Sequence, residues 1–232
     1  MEHVIIQPMS TLWFVAIVAT VLAIAGLTYL CSKMSRDRLD NLSKKLGYLI
    51  IVQIILTNIY LCFAQNSWTL ENNLPLSLCR ASIILSALAL ITKKKWLVIW
   101  ASYLGISGGL ESILTPDFSY GISPYTLFDY YFVHGILIFI PILLIYLLGI
   151  KLGKSSSIKA FIYGNLMLLL VFAIDVMIKA NYMYLMIKPE VNNPLLIGQW
   201  PWYIIGFEIA GILHIAIMDV IFRIVPKHLK RQ

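Results

Sequence analysis

Charge is scarce in this chain. Asp, Glu, Lys and Arg together make up 12% of its residues, about half the share found in ordinary soluble domains. Apolar residues make up 60%, which excludes a soluble domain. Cysteine is scarce too: there are three, with no CxxC or His/Cys spacing of the kind that holds zinc. No metal is expected, and the sequence calls for no cofactor. Lys and Arg are missing from Met1–Ser10, and no small-residue cleavage motif follows the first apolar run, so that run is expected to be a true span. No internal repeat is visible, which weighs against a two-halved transporter.

What the chain does have is seven apolar runs: Thr11–Cys31, Leu46–Gln65, Leu74–Thr92, Trp96–Leu114, Leu127–Ile150, Ile158–Tyr184 and Trp202–Ile224. A helix needs about 20 mostly apolar residues to cross the hydrocarbon, and lipid offers no partners to free backbone groups. The expected fold is therefore all-α: a single-domain polytopic membrane protein, residues 1–232, built as a bundle of seven transmembrane helices. The sixth run is long and is expected to tilt or bend. The basic stretch Ser32–Lys45 suits a surface helix. Of 18 basic residues, 15 fall in alternate connections and the tail, the exceptions being Arg80, Lys179 and Lys188. By the positive-inside rule the N-terminus is outside and the C-terminus cytoplasmic. The net charge of +7 then reflects topology and anionic inner-leaflet lipid, not nucleic acid.

Ionisable groups inside spans are costly, and each is a functional candidate. At 1.5 Å per residue, five to seven positions in from a helix end is a depth of roughly 7–10 Å. Cys79 and Arg80 on the third run, Glu111 on the fourth, Asp129 and His134 on the fifth, Lys179, Asn181, Tyr182 and Tyr184 on the sixth, and Glu208 on the seventh all fall near that outer level. Asp175, His214 and Asp219 lie deeper or further in. The outer loops Leu114–Tyr125 and Pro189–Tyr203 carry Pro, Gly, Asn and aromatics, which make ordered turns and interfacial belts able to roof a pocket. The Gly105–Gly109 stretch either allows close helix contact or breaks the helix.

His134 reads as a general base or as a histidine bonding two helices together. Asp129 is at the wrong spacing to orient it, so Glu111 or Glu208 on another helix is the expected partner. Cys79 reads as a nucleophile if a cation and a histidine adjoin it, as a small buried hydrophobe, or as half of a Cys62–Cys79 disulfide. Ser77 is the second nucleophile candidate. Arg80 suits a phosphate or carboxylate headgroup, or else pairs with Glu111 or Glu208 or snorkels to lipid phosphates. Trp200, Trp202 and Tyr203 are interfacial anchors or substrate contacts. Asp175 and His214 suit a proton relay or plain interhelical hydrogen bonds.

LPLSLC at Leu74–Cys79, LTPD at Leu114–Asp117, YFVHG at Tyr131–Gly135, NYMYL at Asn181–Leu185 and GQWPWY at Gly198–Tyr203 resemble, over nearly the whole chain, the YwaF-like family of small bacterial integral-membrane proteins. That family is grouped distantly with the transmembrane-protein-164 acyltransferases, which move acyl chains between phospholipids. The resemblance implies a multi-pass protein of a bacterial plasma membrane with His134 at the family histidine, and Asn181, Tyr182, Tyr184, Pro201 and Tyr203 as family residues. It also implies a departure: the family motif often reads LPLHLC, with histidine where this chain has Ser77, and the relatives' proposed cysteine falls nearer Leu76 than Cys79.

The leading expectation is a lipid-modifying enzyme, an acyltransferase or lipid hydrolase, with membrane lipids as its partners. His134, Cys79 and Ser77 carry the catalysis. Arg80, Glu111, Glu208, Asn181, Tyr182, Tyr184 and Trp202 bind the substrate. Two rivals stand beside it: a transporter or binding subunit for a small polar ligand, and a non-catalytic partner in a membrane complex, which would leave no cavity.

Overall fold

The structure is a computed structural model describing residues 4–64, 66, 68–118, 121–189 and 196–224; the basic tail beyond Ile224 lies outside them. Eight helices form among the described residues: α1 (Thr11–Ser32), α2 (Arg36–Phe63), the single turn α3 (Leu70–Asn73), α4 (Leu78–Thr92), α5 (Lys95–Leu114), α6 (Pro124–Leu147), α7 (Ser156–Ile178) and α8 (Tyr203–Ile224). All but α3 and α4 are long and apolar enough to cross a membrane. The chain is an all-α, multi-pass membrane protein. Its sole strand pairing among the described residues joins Val4–Ile5 to Asp117–Phe118.

The third run breaks the expected pattern. Leu74–Ser77 is not helical: Leu74 is extended, and Ser77 takes the N-cap position of α4, its hydroxyl accepting the Arg80 N–H at 3.4 Å. That leaves α4 with 15 residues, a rod of about 22 Å. The 20-residue α5 leaves the same basic turn and runs about 30 Å. The end of α4 away from that turn therefore falls short of its neighbour. The sixth run also ends early. Instead of bending on to Tyr184, α7 stops at Ile178, with Lys179 left-handed at φ 58°, and a 3-10 turn follows at Tyr182–Tyr184. The basic stretch after α1 is helical, as the opening turns of α2.

The bundle has a dense centre and a loose periphery. Over their apolar windows α5 is 67% and α6 56% buried, against 11–17% for α1, α2, α7 and α8. These four turn Leu, Ile, Val and Phe side chains outward, as a lipid solvent allows. The short α4 packs between α2, α5 and α6. Its Ala81, Ala87 and Ala89 are buried, and small residues let helices approach closely. Gly47 and Gly109 mark the tightest contacts. A Cβ on Gly47 would come within 2.8 Å of the Ala87 carbonyl oxygen, and one on Gly109 within 2.8 Å of the His134 carbonyl oxygen. In α6, Pro141 lacks an N–H for the helix ladder, and the backbone widens into a π turn at Ile142–Leu147.

Polar groups hold both ends. At the basic end Lys93 donates to Ser43 and to the Leu90 carbonyl and lies 3.6 Å from Asp40. Burial pushes its ammonium below the usual lysine range, against the pull of Asp40. At the other end the Ile6 N–H donates to the Pro116 carbonyl at 3.1 Å and the Trp13 indole N–H to the Leu114 carbonyl at 2.8 Å. With the strand pair, these bonds hold the N-terminal segment against the Leu114–Phe118 turn.

Candidate functional site

The space beside the short end of α4 is a cavity of about 480 Å³. Four helices build its walls: the later turns of α2, the start of α4, the last turns of α5 and the start of α6. Pro75 and Ser77 of the unwound segment also line it, and non-helical backbone in a membrane protein belongs against such a chamber. Asp117, Phe118 and Tyr184 come from loops at the same end.

His134 sits on α6 and is buried. Its Nδ1 lies 2.6 Å from the carbonyl oxygen of Tyr130, one helical turn back. A carbonyl only accepts, so Nδ1 carries a proton, and in the neutral ring the lone pair is then on Nε2. Among the described residues no hydrogen bond engages Nε2. The Tyr130 ring packs on the imidazole with centroids 4.2 Å apart. Its hydroxyl donates to the Ser112 carbonyl at 2.8 Å and accepts the Asp117 N–H at 3.3 Å. The histidine is thus oriented by a backbone carbonyl and an anchored tyrosine. The expected carboxylate partners are occupied elsewhere: Glu111 by His214 at 2.9 Å and Glu208 by the Asn165 amide at 3.3 Å.

Cys79, Ser77, Arg80, Glu111, Asp129, His134 and Tyr184 all line this one chamber. Cys79 turns its thiol to the Ser112 hydroxyl, 3.4 Å away, across the gap left by Gly108. All three cysteines are free, so the Cys62–Cys79 disulfide is not formed. Arg80 donates to the Asn73 carbonyl at 3.2 Å. Asp129 accepts from the Gln53 amide at 2.7 Å and the Thr57 hydroxyl at 2.9 Å, and Tyr125 joins the same group. This group bonds α6 to α2 and makes one wall polar.

Four of the expected substrate-binding residues lie elsewhere. Asn181 folds its own loop, accepting from the Met186 and Ile187 N–H groups and donating to the Ile187 carbonyl. Tyr182 is buried, its hydroxyl between the Leu70 carbonyl and the Leu74 N–H, where it supports the unwound segment. Trp202 is exposed, and Glu208 faces α7. Asp175 and His214 do not meet: Asp175 accepts the Tyr182 N–H at 3.1 Å, which fixes the reversal after α7. The Gly105–Gly109 stretch does not break α5. It gives a π turn at Ala101–Gly105 followed by the close contact at Gly109.

Sequence reasoning missed Tyr130, Ser112, Gln53 and Thr57. Two signals were present: Tyr130 is one turn before His134, and Gln53 and Thr57 form an i,i+4 polar pair inside an apolar run.

A family model described as the TMEM164 family matches residues 6–219 of this chain. No curated protein and no solved structure is detectably similar to it.

Proposed function

Because the chain belongs to the TMEM164 family, we propose that it is a lipid-modifying membrane enzyme, an acyltransferase or lipid hydrolase, working in the cavity at the short end of α4. The observation that carries this reading is the Nε2 of His134, engaged by no hydrogen bond among the described residues, in a chamber shared with Cys79 and Ser77. A nucleophile attacking an acyl ester must lose a proton, and an imidazole held in one tautomer with a free nitrogen is the group that takes it. Cys79 is the better nucleophile of the two, because the Ser77 hydroxyl already caps α4. The thiolate attacks the ester carbonyl, the alkoxide leaves, and the acyl group passes to a lysolipid hydroxyl or to water. Arg80 faces the chamber as the group that holds an anionic headgroup.

In the wider arrangement we propose, seven segments cross a bacterial plasma membrane. The Leu74–Ser77 stretch completes the α4 crossing, the N-terminus is outside and the C-terminus cytoplasmic. The chamber opens to the outer leaflet and admits its lipid sideways. One observation favours a second reading, transport or binding of a small polar ligand: the polar wall of Gln53, Thr57, Tyr125 and Asp129. The non-catalytic reading expects no cavity, and a cavity is present.

Acyl profiling of host membranes tests the proposal. Expression of the wild-type chain shifts phospholipid acyl composition, and the His134→Ala protein, inserted at equal level, does not. Identical profiles for the wild type and an empty control would overturn it. A small polar molecule that copurifies in place of lipid would favour the second reading.

A further inference from the structure

His214 has no part in the chemistry above, yet both of its ring nitrogens are engaged. Nδ1 lies 2.9 Å from the Ala210 carbonyl oxygen, an acceptor only, so Nδ1 carries a proton. Nε2 lies 2.9 Å from Glu111 Oε1. A bare nitrogen and a bare carboxylate oxygen would set two lone pairs against each other at that distance, so a second proton must lie between them. A hydrogen bond between them requires one proton more than a neutral imidazole and a carboxylate carry apart, whichever atom it rides on. His134 is the opposite case. It makes the same Nδ1 contact to a carbonyl one turn back, but its Nε2 is bare. His134 and, through Glu111, the pair thus reach one chamber in different environments, and such a difference is how an acid and a base are told apart. A pair serving only to hold α5 to α8 has no need to open into the cavity, yet Glu111 lines it.

We propose that Glu111 and His214 form a shared-proton dyad that acts as the general acid of the cavity. This rests on the acyl-transfer reading. His134 Nε2 takes the proton of the nucleophile as the new bond to the acyl carbon forms. The ester C–O bond breaks, and the departing alkoxide takes the dyad's proton from Glu111, leaving a carboxylate beside a neutral His214. The proton on His134 then returns to the dyad, leaving the acyl group on the nucleophile; a lysolipid hydroxyl or water attacks the acyl carbon and gives its proton to His134, the enzyme–acyl bond breaks, and the departing nucleophile takes that proton back, which regenerates the protein.

Two measurements test the proposal. With ¹⁵N-histidine in the full chain in nanodiscs at pH 7, and His214→Gln used for assignment, His214 shows both nitrogens in protonated or strongly hydrogen-bonded form, and Glu111→Gln returns it to an ordinary neutral ring. A neutral His214 with a bare Nε2 in the wild type, or no change in Glu111→Gln, would overturn the shared proton. The second compares an alkyl phospholipid ester, whose leaving group needs a proton, with a p-nitrophenyl acyl ester, whose leaving group does not. Glu111→Gln loses about 10²-fold on the first and little on the second. Equal losses on both would overturn the acid role. Absence of turnover by the wild type would overturn the transfer reading and the acid role with it, while the nitrogen spectra alone decide the shared proton.

Discussion

Ser77 and Cys79 stand at the same end of α4, yet their environments assign them different work. The Ser77 hydroxyl caps the helix, whereas the Cys79 thiol reaches the chamber with the Ser112 hydroxyl beside it. Ser77→Ala should cost about 0.5–2 kcal/mol of stability, read as a lower unfolding midpoint in detergent, and leave turnover within a few-fold. Cys79→Ala should abolish turnover with little change in the midpoint. If Ser77→Ala abolishes turnover and Cys79→Ala does not, the assignment is reversed. His134→Ala should lower kcat by about 10²–10⁴-fold. The roster of chamber residues was legible at this scale because ionisable groups in apolar runs are few and conspicuous. What each one touches was not, since contact depends on helix rotation. Thus Glu111 and Glu208, at matching depth, end on different partners.

Among elements, the α5–α6 contact is the one on which the chamber depends. A Cβ at Gly109 would press on the backbone carbonyl of His134, and backbone cannot swing aside as a side chain can. Gly109→Ala should cost about 1–3 kcal/mol and lower turnover together with the midpoint. Gly108→Ala presses only on the Cys79 sulfur, at 3.1 Å, with Leu78 at an ordinary contact distance of 3.9 Å, and should disturb thiol reactivity more than stability; equal midpoints for the two variants would contradict this. Element identity was legible in the sequence because a crossing helix must be apolar over its whole length. The shortening of α4 was missed because Leu74, Leu76 and Leu78 continue the apolar run, and hydropathy outweighed Pro75 and the Ser77 cap. The end of α7 was hidden in the same way: Ala180, Tyr182 and Met183 prolong the apolar pattern past the left-handed Lys179.

For the molecule as a whole, the loose outer helices and the dense α4–α6 centre describe a protein stabilised against lipid outside and by close contact inside, with the chamber of His134 at the end away from the basic turns. In the proposed arrangement, seven crossings put the two ends of the chain on opposite sides. A cysteine placed at Gln7 should be labelled by an impermeant reagent from outside, and one placed at Lys154 only after permeabilisation. Labelling of both from the same side would mean that α4 does not cross. Acyl movement in a defined bilayer is the most direct test of the chamber's chemistry. Purified protein is reconstituted with one isotopically labelled phospholipid and one lysophospholipid, and the products are resolved by mass. Labelled acyl chains on the lysolipid, or free labelled fatty acid, are expected with the wild type and neither with His134→Ala. A correctly folded wild-type protein that leaves both lipids unchanged, or a His134→Ala protein as active as the wild type, would contradict it.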